Sequence, residues 1–188
     1  MGYGLLERTP AGYVLRAPRA ATFGDTLEWF VAQVFTREFL APAAWDVRLL
    51  GIGQGGDFDV ITVLDGRLGY VECKGSPPYN VSADALARFL GRIGHLVPDF
   101  AILVIDTTLR VDRNIIDNLR RLLSESSGVA PGVVRASDGL YEIGGDLPLF
   151  VVTSRRSLVE NLQQCLRRLY RAGLQGRGRS GPSGEVLP

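Results

Sequence analysis

Apolar positions along this chain switch between a helical period and a strand period, and each switch marks an element. In "TFGDTLEWFVAQVFTREFL", Phe23, Leu27, Phe30, Val31 and Val34 follow helical spacing; Thr22 can cap the start and Pro42 bars continuation. "WDVRLLGI" reads as a strand, and "DFDVITVL" and "RLGYVECK" as two more. The last two are joined by Asp65-Gly66, a dipeptide favoured in two-residue type I′ hairpins. After the loop "GSPPYN", Ser82 caps a helix with Leu86, Phe89, Leu90 and Ile93 on one face. "DFAILVID" is short and nearly all apolar, as a central strand should be. "VDRNIIDNLRRLLSES" reads as a helix, "GVVRASDGLYEI" as a small hairpin and "LPLFVVTS" as a further buried strand. "SLVENLQQCLRRLYRAG" is a closing helix, stopped at Gly173. Upstream, "YGLLERTPAGYVLRAP" reads as a short hairpin over residues 3–16, turning at "TPAG".

This order predicts an α/β domain with one mixed central sheet flanked by helices. A single domain spans 1–173: the N-terminal hairpin, a core over 22–106 in the order α-β-β-β-α-β, and an α-β-α extension over 107–173. Residues 174–188 have the composition of a disordered basic tail. A length of 188 residues with 46% apolar content suits one well-cored domain. No apolar run approaches the roughly 18–20 residues of a membrane span. The first residues carry no basic leader and hydrophobic block, so secretion is not expected. Cys73 and Cys165 are too few for a disulfide framework or a four-thiolate metal site. The expectation is a soluble, reducing, cytoplasmic setting with no membrane partner.

Net charge is +1, but residues 155–188 hold seven Arg against two Glu. Such an end can touch a polyanion, although a solvated basic helix face is the commoner explanation. More pointed is the count of lysines. The chain has twenty Arg and one Lys, and that one is Lys74. Arginine stays protonated, whereas a desolvated lysine can serve chemistry.

Lys74 lies in "GGDFDVITVLDGRLGYVECKGS", where Asp57, Asp59 and Glu72 also interrupt apolar chain. A two-residue turn at Asp65-Gly66 puts Leu64 opposite Arg67. Extending that register puts Asp59 opposite Glu72 and Asp57 opposite Lys74, with all four side chains on one face. Asp57 and Lys74 alone would make an ordinary cross-strand ion pair. Asp59 facing Glu72 is costly without a cation between them or a proton on one. Two carboxylates that close form a seat for a hard divalent cation such as Mg²⁺.

An Asp on one strand, a turn, then Glu-x-Lys on the next resembles the PD-(D/E)XK nuclease superfamily, the restriction-endonuclease-like fold. The likeness covers roughly residues 22–106 and is nearest in pattern to the Holliday junction resolvase and RecB-like branches. It implies a Mg²⁺-dependent endonuclease, with Mn²⁺ able to substitute. The Mg²⁺ would be held by Asp59 and Glu72, with the backbone carbonyl of Cys73 as an extra ligand, and Lys74 would position the attacking water. Those branches carry a Glu in the first helix, matched by Glu28, which would bind a second ion or a metal-bound water. Asp57 competes with Asp59 for the motif role; Asp59 is preferred because it faces Glu72. The family's nominal proline is Phe58 here, and the cysteine cluster of iron–sulfur members is absent.

Other signals are weaker. "GIGQGG" contains a G-x-G-x-x-G, but a strand follows instead of a helix, so no nucleotide cofactor is expected. Gln54 and Gly55 within it are candidates for nucleic-acid contact, as are Ser76 and Tyr79 after Lys74. Arg88 and Arg92, four apart on the second helix, can reach a phosphate backbone or simply be solvated. His95, alone of its kind, sits at a helix end. Ser154-Arg155-Arg156 precedes a helix N-terminus, an anion-friendly place. Cys73 alternates away from the carboxylates into the core. The partner expected is DNA, and a homodimer fits the resemblance. The alternative is a catalytically inactive module of the same fold that binds nucleic acid or serves as an assembly subunit.

Overall fold

A computed structural model describes residues 6–10, 12–15, 22–50 and 57–177. The first helix of the domain, α1 (Phe23–Glu38), starts where Thr22 and Asp25 form a reciprocal cap. The Asp25 N–H donates to Thr22 Oγ1 at 3.2 Å, and the Thr22 N–H to Asp25 Oδ2 at 2.8 Å. The helix buries Leu27, Val31, Ala32, Val34 and Phe35. Phe23 is instead exposed. Its ring lies over Gly75, where an added Cβ would meet Phe23 Cδ1 at 2.9 Å. That close approach seats the start of α1 beside the segment after Lys74.

A meander comes next, β3 (Ala43–Arg48), β4 (Asp57–Leu64) and β5 (Arg67–Lys74), then α2 (Ala83–Leu96) and β6 (Phe100–Ile105). Ser82 caps α2 as expected, accepting the Ala85 N–H at 3.2 Å. Beyond them lie α3 (Asp117–Ser127), entered through a wide π-type turn at Asp112–Ile116, and the hairpin β7 (Val133–Ser137) and β8 (Leu140–Ile143). The chain closes with β9 (Leu149–Thr153) and α4 (Leu158–Arg177). The seven strands form one mixed sheet in the order β3-β4-β5-β6-β9-β8-β7. Adjacent β5, β6 and β9 run parallel, and the outer strands add antiparallel on both sides. The segments β1 (Leu6–Thr9) and β2 (Gly12–Leu15) pair only with each other, as a separate two-stranded sheet.

The domain is therefore α/β, a seven-stranded mixed sheet flanked by four helices. On one face Val60, Val71, Ile102, Val104 and Val152 meet α1 and α4 through Val31, Phe35, Leu162 and Leu166. On the other, Tyr70, Leu103, Ile105 and Val151 meet α2 and α3 through Leu86, Phe89 and Leu119. Central strand β6 is buried along its whole length, which is why it reads as an unbroken apolar run. Gly69 of β5 lies beneath the Phe100 ring, whose Cζ would stand 2.2 Å from an added Cβ, so only glycine fits there.

Two boundaries differ from the sequence expectation. Strand β3 ends at Arg48, and α4 continues through Gly173 to Arg177. One glycine costs a helix only about 1 kcal/mol, and the buried stripe of Leu162, Cys165, Leu166 and Leu169 anchors the turns before it. Residues 178–188 and most of the first hairpin's flanks lie outside the described residues. No described helix is long and apolar enough to cross a membrane.

Candidate active site

The β4–β5 turn forms as its residues dictate, with Asp65 at φ 50° and Gly66 at φ 73°. Pairing runs from Leu64↔Arg67 through Ile61↔Tyr70 to Val60↔Val71, the register a two-residue turn imposes. There it stops. Asp59 and Glu72 do not become ladder partners, nor do Asp57 and Lys74. From Glu72 to Lys74, β5 instead keeps its parallel pairing with β6. The Cys73 N–H donates to Asp59 Oδ2 at 2.7 Å, so the carboxylate takes the place of a strand partner.

On the other side of β4, pairing with β3 skips Asp46, which stands opposite Asp59 at φ 49°. Phe58 packs on the α2 side, 5.3 Å from the Tyr70 ring, whereas Val60 packs on the α1 side. Residues two apart on a regular strand share a face, so the faces of β4 change over at Asp59, without a bulge, since the β3–β4 register is the same on either side. This local distortion aims Asp59 into the gap that opens between the strands. Asp57 is left at an exposed end, 71% accessible and 3.3 Å from Arg48 Nε. It is therefore neither the partner of Lys74 nor a member of the site.

Glu72 is 1% exposed and takes four contacts. Lys74 Nζ lies 2.5 Å from Oε1; Arg92 Nη1 lies 3.0 Å from Oε1 and 2.8 Å from Oε2; the Tyr70 hydroxyl donates to Oε2. A carboxylate offers about four lone-pair sites, so these donors saturate it. Tyr70 shares the β5 face with Glu72 and is held between Phe58 and Phe89. Burial and the neighbouring Glu72 push its hydroxyl well up, which keeps it a donor. Arg92 is 19% exposed and turned inward, not solvated as one expectation had it. Burial opposes its charge, but Glu72 and Tyr70 outweigh that and hold the guanidinium protonated. Its Nε is buried with no partner among the described residues.

Asp59 and Glu28 add two more carboxylates from separate elements. Burial and then Glu72 raise Asp59 to about 6, against the opposing pull of the Cys73 N–H, Lys74 and Arg92. Glu28 rises to about 8, through burial first and then Asp59, Asp25, Asp46 and Glu72. It makes no ion pair or hydrogen bond among the described residues. The Cys73 thiol is pushed up by burial and by the same three acids, so it stays an inert core group.

These shifts predict a pH-dependent stability. With its folded value near 8 above the ordinary 4.5, Glu28 holds a proton in the native state that the unfolded chain has lost. Native stability therefore falls as pH rises through that window. In chelator-containing buffer, Glu28→Gln should gain on the order of 1–2 kcal/mol relative to wild type at the alkaline end, after allowing for solvent screening, and nothing below pH 4.5. Urea unfolding at both ends checks this; an equal difference at both would refute it.

Among the described residues no group of three His, Cys, Asp or Glu is gathered tightly enough to cage a metal ion. Magnesium does not need a cage, because it takes one or two carboxylates and keeps several waters. Asp59 and Glu72 fit that demand on one condition, that Glu72 exchange a donor. Lys74, 27% exposed on a flexible stem, is the one able to leave; Arg92, bonded to both oxygens, is not. Cys73 contributes its N–H to this arrangement.

Of the remaining candidates, Ser76 and Tyr79 are exposed just past Lys74, and Arg88 is exposed one turn before Arg92. Gln54 and Gly55, with the glycines of "GIGQGG", lie outside the described residues. Tyr70 and the structural part of Arg92 were missed from sequence. The spacing Tyr70-x-Glu72 was the available signal for the first, and none existed for the second. Comparison of the chain with protein-family models, curated proteins and solved structures finds no match to any of them.

Proposed function

We propose that this protein is a metal-dependent nuclease of the restriction-endonuclease-like fold that hydrolyses phosphodiester bonds in DNA. One observation carries the reading: Glu28, Asp59 and Glu72 converge from three elements where β4 parts from β5, beside the only lysine of the chain. Glu72 raises Asp59, and both raise Glu28, so a divalent cation placed among them would relieve that repulsion. The core order α1-β3-β4-β5-α2-β6 agrees with that fold.

Asp59 and Glu72 would hold Mg²⁺ or Mn²⁺, with Glu28 nearby to hold a metal-bound water. The ion's contribution is Lewis-acid stabilisation of the phosphate and a more acidic bound water. The chain's own residues do the rest. Arg92 and Tyr70 fix the Glu72 carboxylate through both oxygens, so its orientation survives the departure of Lys74. Lys74, once free of Glu72, orients the attacking water and stabilises charge developing on the phosphate. The Cys73 N–H fixes Asp59.

The deciding assay is Mg²⁺- and Mn²⁺-dependent cleavage of linear, single-stranded, flapped and four-way-junction DNA by wild type, Asp59→Asn and Lys74→Ala. Cleavage by wild type that disappears in both variants is expected. A second reading rests on the saturated state of Glu72, whose four contacts need no metal. In it the same fold is a non-catalytic module binding nucleic acid. DNA bound but never cut, with no Mn²⁺ taken up, would select it.

A further inference from the structure

The carboxyl ends of the three parallel strands stand level: Lys74 of β5 pairs with Ile105 of β6, and Ile105 with Thr153 of β9. The loop leaving β9 after Thr153 therefore lies on the same sheet edge as Lys74, two strand spacings away, about 10 Å. That loop carries Arg155 and Arg156. They meet the β7–β8 turn, where Asp138 receives three guanidiniums at once. Arg135 Nη2 lies 2.6 Å from Oδ1, Arg155 Nε 3.0 Å from Oδ2 and Arg156 Nε 3.7 Å from Oδ2.

One carboxylate cannot neutralise three guanidiniums, each with five N–H donors. The cluster keeps a surplus of two positive charges and many unused donors, and Arg156 is 78% exposed. Exposed ion pairs contribute at most about 1 kcal/mol, too little to explain assembling like charges here. Yet the assembly is rigidly built. The buried Asn161 amide donates to Thr153 O at 2.9 Å and Arg155 O at 2.8 Å. The Thr153 N–H donates to Gly139 O at 2.9 Å, and a Cβ on Gly139 would stand 2.2 Å from Asn161 Nδ2. The turn carrying Asp138 and the loop carrying both arginines are thus clamped together. Arg156 is held at φ 68°, a conformation that costs a non-glycine residue about 1 kcal/mol. Arg135 is steadied over the Tyr141 ring, 5.8 Å from its centroid. Acids near this edge include Asp106 at the end of β6, Asp112, which is bonded to Arg110 and Tyr141, and Glu160 in the first turn of α4.

We infer that Arg135, Arg155 and Arg156, preassembled on Asp138, form a binding site for a phosphate group of a DNA strand whose scissile bond lies at Lys74. The assignment of the strand rests on the nuclease reading. From Lys74 the edge runs two strand spacings to β9 and four to β7, about 10–19 Å, which corresponds to about three to six nucleotides at 3.4 Å of axial rise. Planar guanidiniums match phosphate oxygens in pairs, which suits a backbone contact independent of sequence.

The test is binding of a fluorescent oligonucleotide, single- and double-stranded, to the full chain in chelator-containing buffer over a range of KCl concentrations. Arg155→Ala/Arg156→Ala should weaken binding about tenfold or more at low salt. It should also reduce the slope of log K against log salt by about 0.7–0.9, the value of one lost phosphate contact. Arg155→Lys/Arg156→Lys should keep most of that slope, and both variants should melt with wild type. Unchanged affinity and slope in the alanine variant would overturn the site. So would a thermal shift with inorganic phosphate that the variant loses while DNA binding is untouched, which would point to a small phosphate ligand instead. Because no metal is present, a protein that binds through these arginines but never cuts keeps the phosphate site and ends the nuclease reading, and with it the placement of a scissile bond at Lys74. One that cuts normally without them does the reverse.

Discussion

Glu72→Gln is expected to abolish metal-dependent cleavage, a loss of about 10³-fold or more. The substitution keeps the size of the side chain and removes its charge. A Gln carbonyl supplies one acceptor oxygen, while its amide turns two N–H groups toward Arg92, Lys74 and the Tyr70 hydroxyl, all of them donors. The site then loses both the proposed metal ligand and the anchor that orients its neighbours. Cleavage assays belong below the variant's own melting midpoint, so that unfolding is not mistaken for lost chemistry, and Mn²⁺ binding by calorimetry should fall in parallel. A variant that still cuts at the wild-type rate would show that Glu72 is a structural ion-pair centre and that the chemistry lies elsewhere.

Arg92→Ala carries the largest expected stability effect, about 3 kcal/mol. Glu72 is 1% exposed, and deleting Arg92 removes the only group among the described residues that bonds both of its oxygens. Breaking a buried pair leaves a charge that water cannot reach. Lys74 and Tyr70 remain as partners, which puts the loss at the lower end of the usual range. Arg92→Lys should recover only part of it, since one ammonium cannot span the two oxygens as the guanidinium does. Arg88→Ala, one turn away and exposed, should stay within about 0.5 kcal/mol of wild type. Urea denaturation of the three variants is the measurement. If Arg92→Ala proves as mild as Arg88→Ala, the network around Glu72 contributes little and its saturation has another cause.

Local chemistry made much of this protein readable from its sequence. Thr22 and Ser82 cap their helices because a hydroxyl before an amphipathic run satisfies N–H groups that nothing else can reach. Asp65-Gly66 tolerates positive φ, and so fixes the β4–β5 register through Val60↔Val71. A short unbroken apolar run suits a strand covered on both faces, as β6 is. The same locality accounts for the errors. Reading Gly173 as a stop weighed one residue's propensity against no knowledge of the packing that anchors α4.

The site depended on more distant contacts. Carrying the hairpin register to its end placed Asp59 against Glu72 and Asp57 against Lys74, and both pairings fail for a reason outside the hairpin. Strand β4 answers to β3, where Asp46 breaks the ladder, while β5 answers to β6, which holds Glu72 to Lys74 in parallel register. Arg92 could be placed on a helix face from periodicity, but its inward turn comes from α2 packing over Tyr70 and Phe58. The three arginines on Asp138 come from two segments, β7 and the loop after β9, brought together by the Asn161 clamp. The sequence by itself determined which elements form, the α/β class, and which residue types gather near Lys74, because caps, turns and apolar periods act within a few residues. Tertiary structure alone decided which carboxylate is saturated, which is raised in pKa and which is merely exposed. Those outcomes depend on burial and on charges from other strands and helices, and neither is a property of a residue's neighbours in the chain.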